Sequence, residues 1–152
     1  MPELPVTPAD EAVMVHEEHV ELRTNLDELD HALNCLRLES GAGGDLSGAP
    51  LVRSMIRRFR AFLPLHFQHE EKSLLERVSA VSPELKDLTF QLKEEHRFLA
   101  DLFEAFAETA SKLNSTGDVS AEVSRTKLLG EAFTNRFLLH MSTEETELAG
   151  FL

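Results

Sequence analysis

The sequence predicts an all-α protein: an up-down-up-down four-helix bundle built as an internal pseudo-twofold repeat of two helical hairpins. Three observations carry this expectation. Breaks rich in Gly, Pro, Ser and Asn divide the 152 residues into four segments of about 30 residues each. Inside every segment the apolar residues recur at three- and four-residue spacing instead of alternating. Related motifs also appear in segments one and three, and again in segments two and four.

The breaks are SGAGGDLSGAP (Ser40 to Pro50), VSP (Val81 to Pro83) and NSTGDVS (Asn114 to Ser120), of which the first and third read as unstructured. Segment one opens on Thr7-Pro8, an N-cap followed by proline at the first helical position, with Asp10 placed to complete a capping box. Its stripe is Val15, His19, Leu22, Leu26, Leu29, Leu33 and Leu36. Segment two starts between Ser47 and Leu51 and reads Val52, Met55, Phe59, Leu63, His66, Glu70 and Leu74. Within it, Pro64 lacks the N–H that would bond the Arg60 carbonyl and is expected to kink the helix, which could set the aim of His66 or open a route towards it. Segment three repeats the capping device with Ser82-Pro83-Glu84 and reads Leu85, Leu88, Leu92, His96, Leu99, Phe103, Phe106, Ala110 and Leu113. Segment four, capped by Ser120, reads Val123, Thr126, Gly130, Phe133, Phe137, His140, Glu144 and Leu148.

Composition narrows the function. A length of 152 residues corresponds to one domain spanning 1–152, with repeat halves of about 8–80 and 83–150. With 15 Lys+Arg against 27 Asp+Glu, the net charge is −12, which argues against nucleic acid or an anionic membrane as partner. The start, MPELPVTPADE, lacks the basic and apolar regions of a signal peptide, and no apolar run reaches the roughly 18–20 residues of a membrane span. Cys35 is the only cysteine, so no internal disulfide forms and a cytoplasmic location is expected. Ten Phe accompany no Tyr and no Trp, which excludes a redox-active Tyr or Trp on this chain.

Four histidines and two glutamates interrupt stripes that should bury leucine. A carboxylate in an apolar core without a partner costs several kcal/mol or shifts its pKa. No Lys or Arg holds a stripe position to compensate, so a bound cation is the economical answer. His66–Glu70 and His140–Glu144 are i, i+4 pairs, so both side chains of each pair reach one point near the bundle axis. Imidazole with carboxylate suits Fe, Mn or Zn, and the lack of thiolates speaks against iron–sulfur or zinc-finger sites.

The repeat sharpens this. EEHVELRTNL (Glu17 to Leu26) matches EEHRFLADLF (Glu94 to Phe103) at an offset of 77, and LHFQHEEKSLL (Leu65 to Leu75) matches LHMSTEETELA (Leu139 to Ala149) at 74. Each hairpin supplies one His and one His-x-x-x-Glu. The expected metal set is therefore His19, His66, Glu70, His96, His140 and Glu144, a stoichiometry that suggests two metals bridged by the glutamates.

With EEH ending at His19, H66FQHE70E71, EEH ending at His96 and H140MSTE144E145, the chain resembles the hemerythrin-like (HHE cation-binding) family from about residue 8 to 150. The resemblance implies a non-haem centre of two Fe ions (Fe2+/Fe3+), oxo- or hydroxo-bridged, that binds O2 or a related small ligand as a sensor, store or detoxifier. It assigns His19 and His66 to one iron, and His96 and His140 to the other. Two departures from the oxygen carriers stand out: Ala100 replaces their second helix-three histidine, and both Glu144 and Glu145 are available as the fourth-helix carboxylate, with repeat and stripe favouring Glu144. The four-His, two-Glu set is more similar to bacterial members linked to nitric oxide, oxidative stress and iron–sulfur repair, and to iron-sensing relatives. NO or iron handling on the same site is thus one alternative, and an interaction bundle with a Zn-filled or empty site is another. A ferritin-type site would need two Glu-x-x-His motifs, and only Glu28–His31 fits. No substrate is assigned by the sequence.

The remaining polar residues read as ordinary. His16 and His69 are expected to flank the ligands one turn away, and His31 to lie on the surface. Glu17, Glu18, Glu94 and Glu95 read as solvated faces, although one could accept a proton from a ligand imidazole. Phe59, Phe62, Phe67, Phe98, Phe103, Phe106, Phe133 and Phe137 read as core, or as a dry channel for a diatomic gas. RRFR (Arg57 to Arg60) reads as a solvated basic face.

Overall fold

The computed structural model describes residues 7–38, 46–114 and 119–152. Four helical rods account for nearly all of them: α1 (Pro8–Cys35); α2 (Ala49–His69), running on through a π-helical stretch, Glu70–Leu75, into the short α3 (Glu76–Val81); α4 (Lys86–Ser111); and α5 (Ser120–Glu147). The first rod begins as its sequence dictates. Thr7 Oγ1 accepts from Asp10 N at 3.2 Å and Asp10 Oδ2 accepts from Thr7 N at 3.2 Å, a complete capping box.

Other boundaries differ from expectation. Leu46–Ser47, inside the stretch expected to be unstructured, pairs antiparallel with Arg37–Leu38. The rest of that stretch to residue 45, and most of Asn114–Ser120, lie outside the described residues. Ser82 precedes a single 3-10 turn, Pro83–Leu85, and α4 starts only at Lys86, so its hydroxyl caps nothing. At α5 the cap position is Val119 and Ser120 is already helical, again without a side-chain cap. α2 starts after Gly48, whose φ of +87° only glycine adopts cheaply; a Cβ there would stand 2.9 Å from the Cys35 carbonyl. The helix runs on through Pro64 to His69, and Glu70–Leu75 takes π-helical geometry.

α1 packs on α2 and α5, and α4 packs on α5 and α2, so the four rods close a ring around one axis. Every stripe residue from Val15 to Leu36, Val52 to Leu74, Leu92 to Leu113 and Val123 to Leu148 is buried, whereas Leu85 and Leu88 at the start of segment three are half-buried. The buried apolar residues fall into two clusters. The larger runs from Leu22 and Phe67 to Leu36, Leu113 and Val119; the smaller holds Val15, Leu74, Leu75, Val78, Leu92 and Leu148. Between them lies a layer made of His19, His66, Glu70, His96, His140 and Glu144, each at most 3% exposed. Among the described residues no helix is long and apolar enough to cross a membrane.

Candidate metal centre

Each rod delivers its polar side chains to this layer through its own period. His19 stands between Val15 and Leu22 on α1, and His96 between Leu92 and Leu99 on α4, so each occupies the inward position of its turn. His66 and Glu70, and likewise His140 and Glu144, lie one turn apart on one face, so the imidazole and carboxylate of each pair meet. Contacts then run across the axis. His19 Nε2 lies 3.7 Å from both Glu70 Oε1 and Glu144 Oε2, and His96 Nε2 lies 4.0 Å from Glu70 Oε2 and 3.8 Å from Glu144 Oε1. His96 Nε2 and His140 Nε2 face each other at 3.1 Å. All six predicted site residues are brought together.

Two groups of potential ligand atoms converge within 4.8 Å: His19, His66 and Glu70 in one, and Glu70, His96, His140 and Glu144 in the other. Glu70 belongs to both. Both oxygens of Glu70 and both of Glu144, together with His19 Nε2 and His66 Nε2, lack hydrogen-bond partners although fully enclosed. A buried carboxylate left unpaired is costly, and four such oxygens aimed at one small volume are the donor set a cation needs. The residues present therefore fit a metal.

Behind this layer is a second ring of carboxylates. His66 Nδ1 donates to Glu18 Oε2 at 2.6 Å and His140 Nδ1 donates to Glu95 Oε2 at 2.6 Å. His19 Nδ1 donates to Glu145 Oε1 at 3.1 Å, and His96 Nδ1 approaches Glu71 Oε2 at 3.3 Å. A carboxylate can only accept, so Nδ1 of His19, His66 and His140 donates, and each of these rings in its neutral form presents an Nε2 lone pair inward. Every one of these four glutamates adjoins an inward donor in sequence: Glu18 precedes His19, Glu95 precedes His96, Glu71 follows Glu70 and Glu145 follows Glu144. Glu18, Glu95 and Glu145 each hold a histidine on another rod by a hydrogen bond, and Glu71 stands beside His96 without one. For Glu18 and Glu95 the solvated-face reading gives way to its alternative, a carboxylate accepting a proton from a ligand imidazole. Glu17 and Glu94 show no such contact and remain on the outside.

The shifted pKa values follow from this wiring. Burial pushes the Glu70 carboxyl up, but the polar groups of Glu144, His19 and His66 crowded around it prevail and hold it well below the usual range. Burial raises Glu144, and the Glu70 charge beside it raises it further. Burial lowers His66, yet its bond to Glu18 and the Glu70 carboxylate beside it lift it to about 9. His140, opposed in the same way by burial, is lifted to about 9 by Glu144, Glu70 and Glu95. The Arg23 guanidinium, which donates to both oxygens of Glu145 at 2.6 Å, holds that carboxyl below its usual value.

The other candidates find definite places. Glu145 is one-third exposed and faces outward, and Glu144 is the enclosed member of the doublet. His69 Nδ1 donates to the second oxygen of Glu18 at 2.7 Å, fixing the group that fixes His66. His16 lines a pocket beside His19, and exposed His31 lies 3.7 Å from Cys35 Sγ. Ala100 is exposed and adds nothing to the layer. Phe59, Phe103, Phe106, Phe133 and Phe137 are core, whereas Phe98 is half exposed, with the Arg136 guanidinium 5.1 Å from its ring centre. Arg58 and Arg60 of the basic island pair with Glu28 and Glu104.

Comparison with known families matches residues 11–152 to the family described as Hemerythrin HHE cation binding domain. Searches of curated proteins and of solved structures find no match.

Proposed function

The chain belongs to the hemerythrin HHE cation-binding family, and from that premise we propose that it is a non-haem di-iron protein that binds or reacts with O2 or a related small ligand. The observation that supports this best is the dry layer of six inward donors, with four carboxylate oxygens that no protein group satisfies. In this reading His19 and His66 hold one ion, His96 and His140 hold the other, and Glu70 and Glu144 bridge. The membership of Glu70 in both converging groups, and the position of Glu144 within 4 Å of His19 and His96, favour bridging roles.

The same wiring supports an up-down-up-down bundle with a pseudo-twofold repeat. Glu18 to His66 and Glu95 to His140 are equivalent bonds under the sequence offsets, and Glu145 beside His19 has its positional counterpart in Glu71 beside His96. One domain spanning the chain is consistent with a site that draws on all four rods.

Iron bound here supplies Lewis acidity and one-electron redox chemistry towards a small ligand. The protein's part is positional. Each Nδ1–H held by a carboxylate fixes the ring plane and raises the basicity of the inward nitrogen. Phe67, stacked on His96, and buried Phe137, beside His66 and His140, exclude water from the inner side. No residue in the layer is a Cys, Ser or Lys that could act as a nucleophile.

Elemental analysis of the purified protein, with visible absorption of the iron-loaded form under argon and under O2, tests the proposal. The expected result is two irons per chain and an O2-dependent spectrum. A featureless spectrum with substoichiometric iron would sink it.

A further inference from the structure

Two of the carboxylates behind the polar layer are held by a further donor, and both belong to the same half of the site. At Glu145, Arg23 Nη1 donates to Oε1 and Nη2 to Oε2, each at 2.6 Å, and Oε1 also accepts from His19 Nδ1 at 3.1 Å. Glu18 gives one oxygen to each of two histidines, Oε2 to His66 Nδ1 at 2.6 Å and Oε1 to His69 Nδ1 at 2.7 Å. Each carboxylate is thus fixed at both oxygens, and neither turns from its layer histidine without giving up a second partner.

The sequence repeat shows what the other half lacks. At the offsets of 77 and 74, Arg23, Glu145 and His19 correspond to Ala100, Glu71 and His96, while His69, Glu18 and His66 correspond to Thr143, Glu95 and His140. Ala100 offers no donor, and the buried His96 Nδ1 has no hydrogen-bond partner. The Thr143 hydroxyl donates to the Leu139 carbonyl of its own helix at 2.9 Å instead of reaching Glu95. Exposure makes the difference matter. Glu145 and Glu71 are 33% and 38% exposed, so water competes for both, and a glutamate without an anchor samples orientations that leave its histidine. The two-point contact with Arg23 removes that freedom from Glu145 alone.

We propose that Arg23 is a positioning residue for the metal. Through Glu145 it holds His19 in its ligating orientation, and with His69, which acts through Glu18 on His66, it makes His19–His66 the half whose donors are set before an ion arrives. The His96–His140 half lacks both anchors and is ordered only when an ion is bound. The inference rests on the metal-centre reading and goes beyond it, because it makes the two halves unequal and names the residues responsible.

Competition with a chromogenic chelator, followed on the visible bands of Co2+, gives the two stepwise metal affinities. Arg23→Met is expected to weaken one step about three- to tenfold, less than outright loss of a supporting carboxylate, and to leave the other step unchanged. Arg23→Lys, a single-point donor, should fall between Arg23→Met and wild type. Double-mutant cycles read the path. Arg23→Met should cost nothing further in a Glu145→Ala background and its full factor in a Glu95→Ala background, and His69→Leu should be silent after Glu18→Ala. The metal-free Arg23→Met chain should melt close to wild type, since an ion pair this exposed contributes little to the fold. Unchanged or tighter Co2+ binding in Arg23→Met, or a factor that persists once the linked glutamate is gone, overturns the inference and leaves the metal-centre reading standing. A wild-type chain that binds no Co2+ overturns both.

Discussion

Replacing both Glu70 and Glu144 by Gln keeps side-chain volume but removes the only carboxylates inside the layer. The metal-centre reading makes this change costly in the loaded protein. A ligand that binds only the folded chain stabilises it by about 2.7 kcal/mol at a hundred times its Kd. For a chain of 152 residues the unfolding entropy is about 0.3 kcal/mol/K near 60 °C. Each ion should therefore raise the melting temperature by about 8 °C, and two by about 16 °C. Neutral amides bridge cations poorly, so the double variant should lose most of this increment. The assay is differential scanning calorimetry of metal-free and Fe2+-loaded protein under argon, with metal content measured on the same samples. Equal metal content and an equal metal-induced shift in wild type and Glu70→Gln/Glu144→Gln would refute the reasoning and favour an interaction bundle.

Four further outcomes are expected. Glu95→Gln, which weakens the bond holding His140 Nδ1, should reduce metal affinity about 10- to 100-fold in competition with a chromogenic chelator, with helical content unchanged. Because His66 and His140 titrate near 9 without metal and ligate only when neutral, metal binding should release protons at pH 7 and tighten as pH rises towards 9. Calorimetry in buffers of different ionisation enthalpy checks that. The same raised values stabilise the metal-free fold fully below pH 6.5, and that contribution should fade as pH passes 9 in urea titrations. Gly130→Ala would place a Cβ 2.6 Å from Leu33 Cδ1 and 3.0 Å from Phe106 Cε2, in a buried contact with no slack. Overpacking of about 1–3 kcal/mol against a helix-propensity gain of about 1 kcal/mol predicts a net loss near 1 kcal/mol, read as a melting temperature about 3 °C lower.

How far the sequence discloses the molecule depends on the length scale of each signal. The stripes are periodic over about six to eight turns, so the interruptions at His19, His66, Glu70, His96, His140 and Glu144 stand out, and all six share one buried layer. Glu18, Glu95, Glu71 and Glu145 were harder to place. On a helical wheel they sit at the edge of the apolar face, where solvated and clamping carboxylates share the same period. Only the packing of a neighbouring rod separates them, as the difference between Glu95, which accepts from His140, and its neighbour Glu94, which accepts from Arg97 on the same rod, shows. Ser82 and Ser120 misled because a cap depends on where the first turn closes, and tertiary packing moved that point by one to several residues. The Arg37–Leu38 and Leu46–Ser47 pair is two residues long on each side, too short to leave a period. The π-helical stretch brings two consecutive leucines, Leu74 and Leu75, into the smaller cluster, and no α-period predicts that pairing.

The division of the core by its polar layer bears on how the molecule comes apart. The smaller cluster contains only six buried residues, and it meets the larger one across side chains that repel water-free contact unless a cation joins them. On the metal-centre reading, withdrawing the metal would remove the cross-link between two apolar bodies of unequal size, of which the lesser holds six buried residues. That end of the bundle becomes a local unfolding unit, with amides around Val15, Leu74–Val78, Leu92 and Leu148 exchanging hydrogen ahead of those around Leu29, Phe106 and Phe133. The metal would then serve as the tie that makes one cooperative domain out of two cores.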